Sequence, residues 1–173
     1  LCELIIERGY KFNIWCYSRV DTVKDQYLET LKKAGVNWLA LGIESGNARV
    51  RHDVTKGRFG DLDIRNIVGK IRDHDINVIG NYIFGLPEDD LESMQMTLDL
   101  AVEMNTEEAN FYSAMAYPGS PLYGIARKEG WQLPQTYDGF SQHSYTCQPL
   151  PTKHLTAAQV LAFQSLFADR ALD

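Results

Sequence analysis

The sequence predicts an α/β domain of parallel βα units. Three observations carry this: short apolar strand-like runs alternate with amphipathic helical stripes along the chain, the run Trp38–Ile43 is apolar on both of its alternating faces, and polar residues recur where the runs stop. Such alternation gives a right-handed parallel sheet, either an open doubly wound one or an arc of a barrel. The chain has no Gly-x-Gly-x-x-Gly turn, which argues against dinucleotide binding.

The elements follow in order. Leu1, Leu4, Ile5 and Arg8 stand at helical spacing before Gly9, as at the end of a helix, and the β-prone run Phe12–Tyr17 comes next. Asp25–Ala34 places Leu28, Leu31 and Ala34 on one helical face, with Gly35 as the stop. Trp38–Ile43 is the second strand, and its two apolar faces predict cover on both sides. Ile64, Ile67, Val68 and Ile71 make a helical stripe, and Asn77–Phe84 reads as the third strand, ending at Gly85-Leu86-Pro87. Asp89 or Asp90 can cap a helix that buries Leu91, Met94, Leu98 and Ala101, before a fourth strand at Ala109–Met115. After Gly130 the chain loses periodicity up to Lys153. Thr156-Ala157-Ala158-Gln159 then opens a last helix with a capping box, its apolar face being Val160, Phe163, Leu166 and Phe167. Two regions are expected: residues 1–130 as the αβ core and residues 131–173 as a loop and helix packed on it.

Composition sets bounds on function. At 173 residues, 45% hydrophobic and 23% charged, the chain suits one globular domain. A net charge of −6 without basic runs argues against nucleic acid as a partner. No apolar stretch approaches the roughly 20 residues of a membrane span, and no signal peptide is visible, so a cytoplasmic location follows by default. Cys2, Cys16 and Cys147 are too far apart for a disulfide framework or a complete metal site, and each is expected to be a reduced, packed thiol. His52, His74, His143 and His154 lack ligand spacing and are expected at the surface, while the methionines Met94, Met96 and Met104 are expected in the core. The chain starts with Leu1 inside a helical pattern, as an excised piece of a longer protein would.

In parallel αβ folds ligands sit at the carboxyl ends of strands, so each strand exit is a candidate site. The exits carry Ser18-Arg19, Glu44-Ser45, Asn81 and Tyr117-Pro118. Each also has a purely structural role open to it. Glu44 can bond the amides of the Gly46-Asn47 turn or a neighbouring Arg, and Arg19 can pair with Asp21 or Asp25. Asn81, inside an apolar run, needs a partner, which a ligand or the next strand could equally supply.

The segments "GIESGN" (Gly42–Asn47), Lys56-Gly57 twelve residues beyond Glu44, "NYIFGLPEDD" (Asn81–Asp90) and "AYPGSPLY" (Ala116–Tyr123) together resemble the radical S-adenosylmethionine enzymes over residues 1 to about 130. The tail "DGFSQHSYTCQPLPT" resembles members that often carry a cobalamin-binding domain. This resemblance implies a partial TIM-type barrel of six βα units, of which the chain holds the last four strands, the first two preceding Leu1. It implies S-adenosylmethionine and a 4Fe–4S cluster as cofactors, and leaves cobalamin open as a further cofactor of the parent protein. The three cluster cysteines, spaced Cys-x-x-x-Cys-x-x-Cys in the family, are absent from this sequence, so no metal ligand is assigned here.

By the same resemblance Glu44 helps hold the cofactor, Lys56 meets its carboxylate, Asn81 lies near the ribose, Arg19 and Ser18 fall where other polar contacts occur, and Met115 and Ala116 meet the adenine through backbone groups. The expected function is the cofactor- and substrate-binding part of an enzyme that cleaves the cofactor's carbon–sulfur bond with an electron and abstracts hydrogen from substrate through an adenosyl radical; the piece alone is inactive. Expected partners are the rest of the parent polypeptide, a substrate whose class the resemblance leaves open, and a second copy through the exposed edge at Phe12–Tyr17. Two other functions fit the residues: an ordinary barrel aldolase or isomerase using Glu44 as base with Lys56, and a non-catalytic binding module.

Overall fold

The computed structural model describes residues 1–55 and 63–168. Four strands, β1 (Ile14–Arg19), β2 (Val36–Glu44), β3 (Asn77–Phe84) and β4 (Glu108–Ser113), form one parallel sheet in the order β1-β2-β3-β4. Seven helices accompany them among the described residues: α1 (Cys2–Glu7), α2 (Asp25–Lys33), α3 (Ala48–Thr55), α4 (Ile64–Asp73), α5 (Leu91–Met104), α6 (Pro121–Lys128) and α7 (Ala157–Ala168).

Helices α2, α4 and α5 lie on one face of the sheet. Leu28 of α2, Ile64, Val68 and Ile71 of α4, and Leu100 and Met104 of α5 form one apolar cluster with Leu39, Leu41, Ile43, Val78 and Tyr82 from the strands. Helix α7 continues this layer beside β4. Its Val160 and Phe163 pack with Phe84 and Met94, and Gln164 donates to the Phe111 carbonyl at 2.9 Å. The opposite face carries Tyr17, Gly42, Asn81 and Tyr112 around a cavity, with Val50 of α3 packed beside Ile83 at its carboxyl end. This corrects the expectation for β2: its second apolar face is not under a helix layer but looks into a cavity, with Trp38 half-buried there.

Cavity-lining residues come from both β1 and β4, the two edges of the sheet, so the sheet is curled into an arc. An arc with helices on its convex side is a segment of a barrel. That decides between the two architectures that alternation alone leaves open.

Element boundaries differ from the periodicity in four places. Strand β1 starts at Ile14, whose N–H bonds the Gly35 carbonyl at 2.7 Å, and runs on through Ser18 and Arg19 because β2 still offers Leu41 and Gly42 as partners. Strand β4 stops at Ser113, opposite Phe84, because Gly85 (φ +76°) turns β3 away there. Helix α3 is capped by Asn47, whose Oδ1 accepts from the Arg49 and Val50 N–H groups at 3.0 and 3.2 Å. Helix α6 has Ser120 as cap and Pro121 in its first turn, a start signal that needs no apolar stripe.

The other caps follow the sequence. Asp90 and Ser93 form a reciprocal box at α5, and Thr156 and Gln159 one at α7. Met94 and Met104 are buried as expected, whereas Met96 is exposed and takes a contact from the Asn47 amide at 3.3 Å. All three cysteines are free and half-buried. No helix among the described residues is long and apolar enough to cross a membrane.

Candidate functional site

The loop after β2 shows how the site is built. Gly46 lies against the backbone of α5: a Cβ there would stand 2.2 Å from the Met96 carbonyl oxygen. Ser45, fully buried, shares a hydroxyl contact of 3.1 Å with Thr97, which also accepts from the Gly46 N–H at 2.9 Å. The Asn47 N–H donates to Ser45 Oγ, and Arg51 Nη1 donates to the Ser45 carbonyl at 2.6 Å. Every one of these groups serves to knot the loop onto α5 and start α3.

Glu44 is different. It has φ +69°, and the Ser45 N–H bonds the Ile43 carbonyl at 2.9 Å, so Glu44 is the centre of a classic γ-turn, a conformation that costs a residue with a Cβ about 1–3 kcal/mol. Its carboxylate accepts no hydrogen bond among the described residues; burial pushes it above the usual carboxylate range, with Arg19 pulling the other way. The amides it could have bonded in its own turn are taken by Thr97 and Ser45. A strained turn thus presents a half-buried carboxylate to a cavity.

That cavity, about 560 Å³, lies at the carboxyl ends of the strands on the concave face, and Ser18, Arg19, Glu44 and Asn81 all line it. Four of the seven residues singled out by sequence therefore converge. Arg19 holds Asp21 through two bonds of 3.0 and 2.7 Å, and Ser18 is tied to Thr22 and the Arg19 carbonyl. Asn81 Oδ1 accepts from Asn110 of the next strand at 3.1 Å, leaving the Asn81 amide N–H groups without an acceptor among the described residues. Met115 and Ala116 do not line this cavity; they are buried beyond β4, with Cys147 Sγ 3.9 Å from Met115 Sδ. Lys56 lies outside the described residues.

The sequence did not single out Tyr17, Tyr112, Gln142 or His143, which also line the cavity. Tyr17 alternates with the less exposed Cys16 and Ser18 on β1, a period-2 signal, whereas β4 shows no such alternation around Tyr112, whose side is fixed only once the sheet is known. Gln142 and His143 come from the aperiodic loop. Gln142 donates to the Ser113 carbonyl at 2.9 Å and so pins that loop over the end of β4. His143 is at the surface, as its spacing suggested, but that surface is the cavity wall. Among the described residues no three His, Cys, Asp or Glu side chains converge as a metal site.

A one-sided parallel αβ arc with its polar residues at the carboxyl ends of the strands defines a barrel-type ligand-binding domain. The chain belongs to the Radical SAM superfamily, whose profile matches residues 1–101. An uncharacterized methyltransferase, PH0819, of Pyrococcus horikoshii is 25% identical over 157 residues, 90% of this chain and 33% of that protein. The anaerobic magnesium-protoporphyrin IX monomethyl ester cyclase of Cereibacter sphaeroides is 25% identical over 164 residues, 92% of this chain and 26% of the cyclase. In fold, the chain is similar to the radical S-adenosylmethionine methyltransferase TsrM from Kitasatospora setae, solved with cobalamin and a [4Fe-4S] cluster: TM-score 0.60, 18% identity, covering 73% of this chain and 27% of TsrM. The chain thus spans a third or less of the length of these proteins.

Proposed function

We infer that the chain is the ligand-binding arc of a radical S-adenosylmethionine enzyme and holds that cofactor at the carboxyl ends of β1 to β3. The carrying observation is Glu44: in a loop whose other polar groups bond one another, a strained turn presents to the cavity a carboxylate that accepts no hydrogen bond from the described residues. A ligand with a cationic sulfonium and an ammonium group suits that carboxylate.

Glu44 would take the amino end and Asn81, with its uncommitted amide, the ribose, while Arg19 and Ser18 border the same cavity. Lys56 is assigned to the cofactor carboxylate by family resemblance. Met115 and Ala116, buried beyond β4, are assigned to the adenine edge by family resemblance alone. When bound and reduced, the cluster and cofactor supply an adenosyl radical; the protein positions the ligand and excludes water. Ligands for a cluster would come from elsewhere in the parent chain. Cobalamin in the parent is supported by the likeness to TsrM, which was solved with cobalamin bound. Residues 1–130 would be the barrel part and residues 131–173 its cover, in a cytoplasmic protein whose three thiols stay reduced.

The deciding experiment is calorimetric titration of the reconstituted full-length parent with S-adenosylmethionine, wild type beside Glu44→Gln. Losing a hydrogen bond to a charged group costs about 1.5–3 kcal/mol, so affinity should fall roughly ten- to a hundredfold. Unchanged affinity with a lowered melting temperature would make Glu44 a structural cap. The β1 edge, where the sheet ends and Tyr17 is 74% exposed, is further assigned to association with the rest of the parent or a second copy. Sedimentation of the 173-residue chain alone tests the second partner, and a compact monomer at micromolar concentration would exclude it.

A further inference from the structure

Two cavities on the concave face share a wall. The first, about 560 Å³, carries Arg19, Glu44 and Asn81; the second, about 530 Å³, runs toward the amino ends of the strands past Trp15, Trp38 and Asn110. Tyr17, Tyr112 and His143 belong to both. Tyr17 and Tyr112 stand on opposite edges of the sheet, yet its curl brings their phenols within electrostatic reach: burial first, and Tyr17 second, raise the Tyr112 hydroxyl above its ordinary value. His143 closes the ring from the loop that Gln142 pins to Ser113, and stands edge-on to Tyr112 with centroids 6.1 Å apart and planes at 84°. Trp15, tilted against Tyr17 at 5.1 Å, extends the same aromatic surface.

We propose that the collar of Tyr17, Tyr112 and His143 is the specificity-determining surface of the site, and that it selects a substrate presenting a flat, π-faced ring to the ligand held at Glu44. The proposal rests on the cofactor reading above. Ring faces and edges attract other rings through their quadrupoles, whereas a puckered ring of equal size gains the same burial without that match. Asn110 gives an amide N–H to Asn81, so its carbonyl oxygen, with Glu108 in the same cavity wall, can read the rim of such a ring. The collar also sits between the two cavities, where a molecule in the second must pass its reacting edge to meet one in the first.

The test uses the full-length parent saturated with S-adenosylhomocysteine and ligand-observed NMR with two probes, benzyl alcohol and its saturated counterpart cyclohexylmethanol. Wild type should bind the planar probe about three- to tenfold more tightly. Tyr112→Leu and His143→Leu should abolish that preference and His143→Phe should keep it, each variant being compared at saturating S-adenosylhomocysteine because Tyr112 and His143 border that cavity as well. Should Tyr112→Leu fail to fold, the exposed His143 still decides. Equal binding of the two probes by wild type overturns the proposal. So does a preference that survives His143→Leu, or leucine variants that lower the melting temperature without touching the preference, since the rings would then be cover for another part of the parent. A wild type that binds no S-adenosylhomocysteine overturns the cofactor reading and this proposal together; a wild type that binds S-adenosylhomocysteine but shows no ring preference overturns the collar alone.

Discussion

The Glu44 carboxylate folds back over Gly42, so that a Cβ on Gly42 would stand 2.7 Å from Glu44 Oε1. The absence of a side chain at position 42 is what lets the carboxylate lie in the cavity beside β1 and β3. It is a relationship of side chain to empty space, and it has a direct test.

Gly42→Ala should keep the fold and disturb the ligand. The atom it displaces is the far end of a flexible side chain, so the melting temperature should drop by only a few degrees, an effect of about 1 kcal/mol or less. Cofactor affinity of the parent should fall about tenfold as the carboxylate moves. Calorimetry beside a thermal melt reads both; full affinity would show that Glu44 reaches the ligand from another position.

Gly46→Ala should do the reverse. Its new Cβ would meet the Met96 carbonyl oxygen at 2.2 Å and Thr97 Cα at 2.7 Å, both main-chain atoms of a packed helix that cannot swing aside. Forcing the loop off α5 also strains the Thr97 contacts to Ser45 and Gly46. A loss of about 1–3 kcal/mol in denaturant unfolding is expected, and a shift well under 1 kcal/mol would mean that the loop has another seat.

Glu44→Gln should change the pH dependence of stability with an unusual sign. Burial raises the folded-state pKa of Glu44, so the folded protein holds this proton more tightly than the unfolded chain does. Its contribution is therefore fully present below the unfolded glutamate range and lost as pH rises through the raised folded value. At neutral pH the variant should melt at or above the wild-type temperature, and the gap should close as pH falls through the ordinary glutamate range. Asp89 is also raised, first by burial, but it is common to both proteins and cancels in the difference. A variant destabilised equally at all pH values would point to a lost structural bond.

Tyr82→Phe should be neutral or stabilising. The Tyr82 hydroxyl is buried without a hydrogen-bond partner among the described residues, while its ring stacks on Phe111 at 5.2 Å. Phenylalanine keeps the stack and removes a desolvated hydroxyl that costs about 1–3 kcal/mol when unpaired. A rise in denaturant midpoint with unchanged slope is expected; a clear loss of stability would show that the hydroxyl has a partner in the folded protein.

What the chain's own pattern determined was its strands, its main helices and its rim. Period-3.6 stripes such as Ile64-Ile67-Val68-Ile71 and apolar runs such as Trp38–Ile43 reflect burial that each segment must satisfy, so they are written locally. Glu44 and Arg19 were visible because charge at the end of an apolar run is costly unless something there needs it. Other features were decided only when the chain closed on itself. Helix α3 starts from a single Asn47 cap, and α6 from Ser120 and Pro121, so neither announces itself by periodicity. The curl of the sheet, which joins Tyr17 to Tyr112 across two intervening strands, follows from strand twist and one-sided helix packing rather than from either residue. His143 was read as an ordinary surface histidine because contacts such as the Gln142 to Ser113 bond, spanning 29 positions, bring its loop to the cavity, and contacts so distant in sequence leave no local trace.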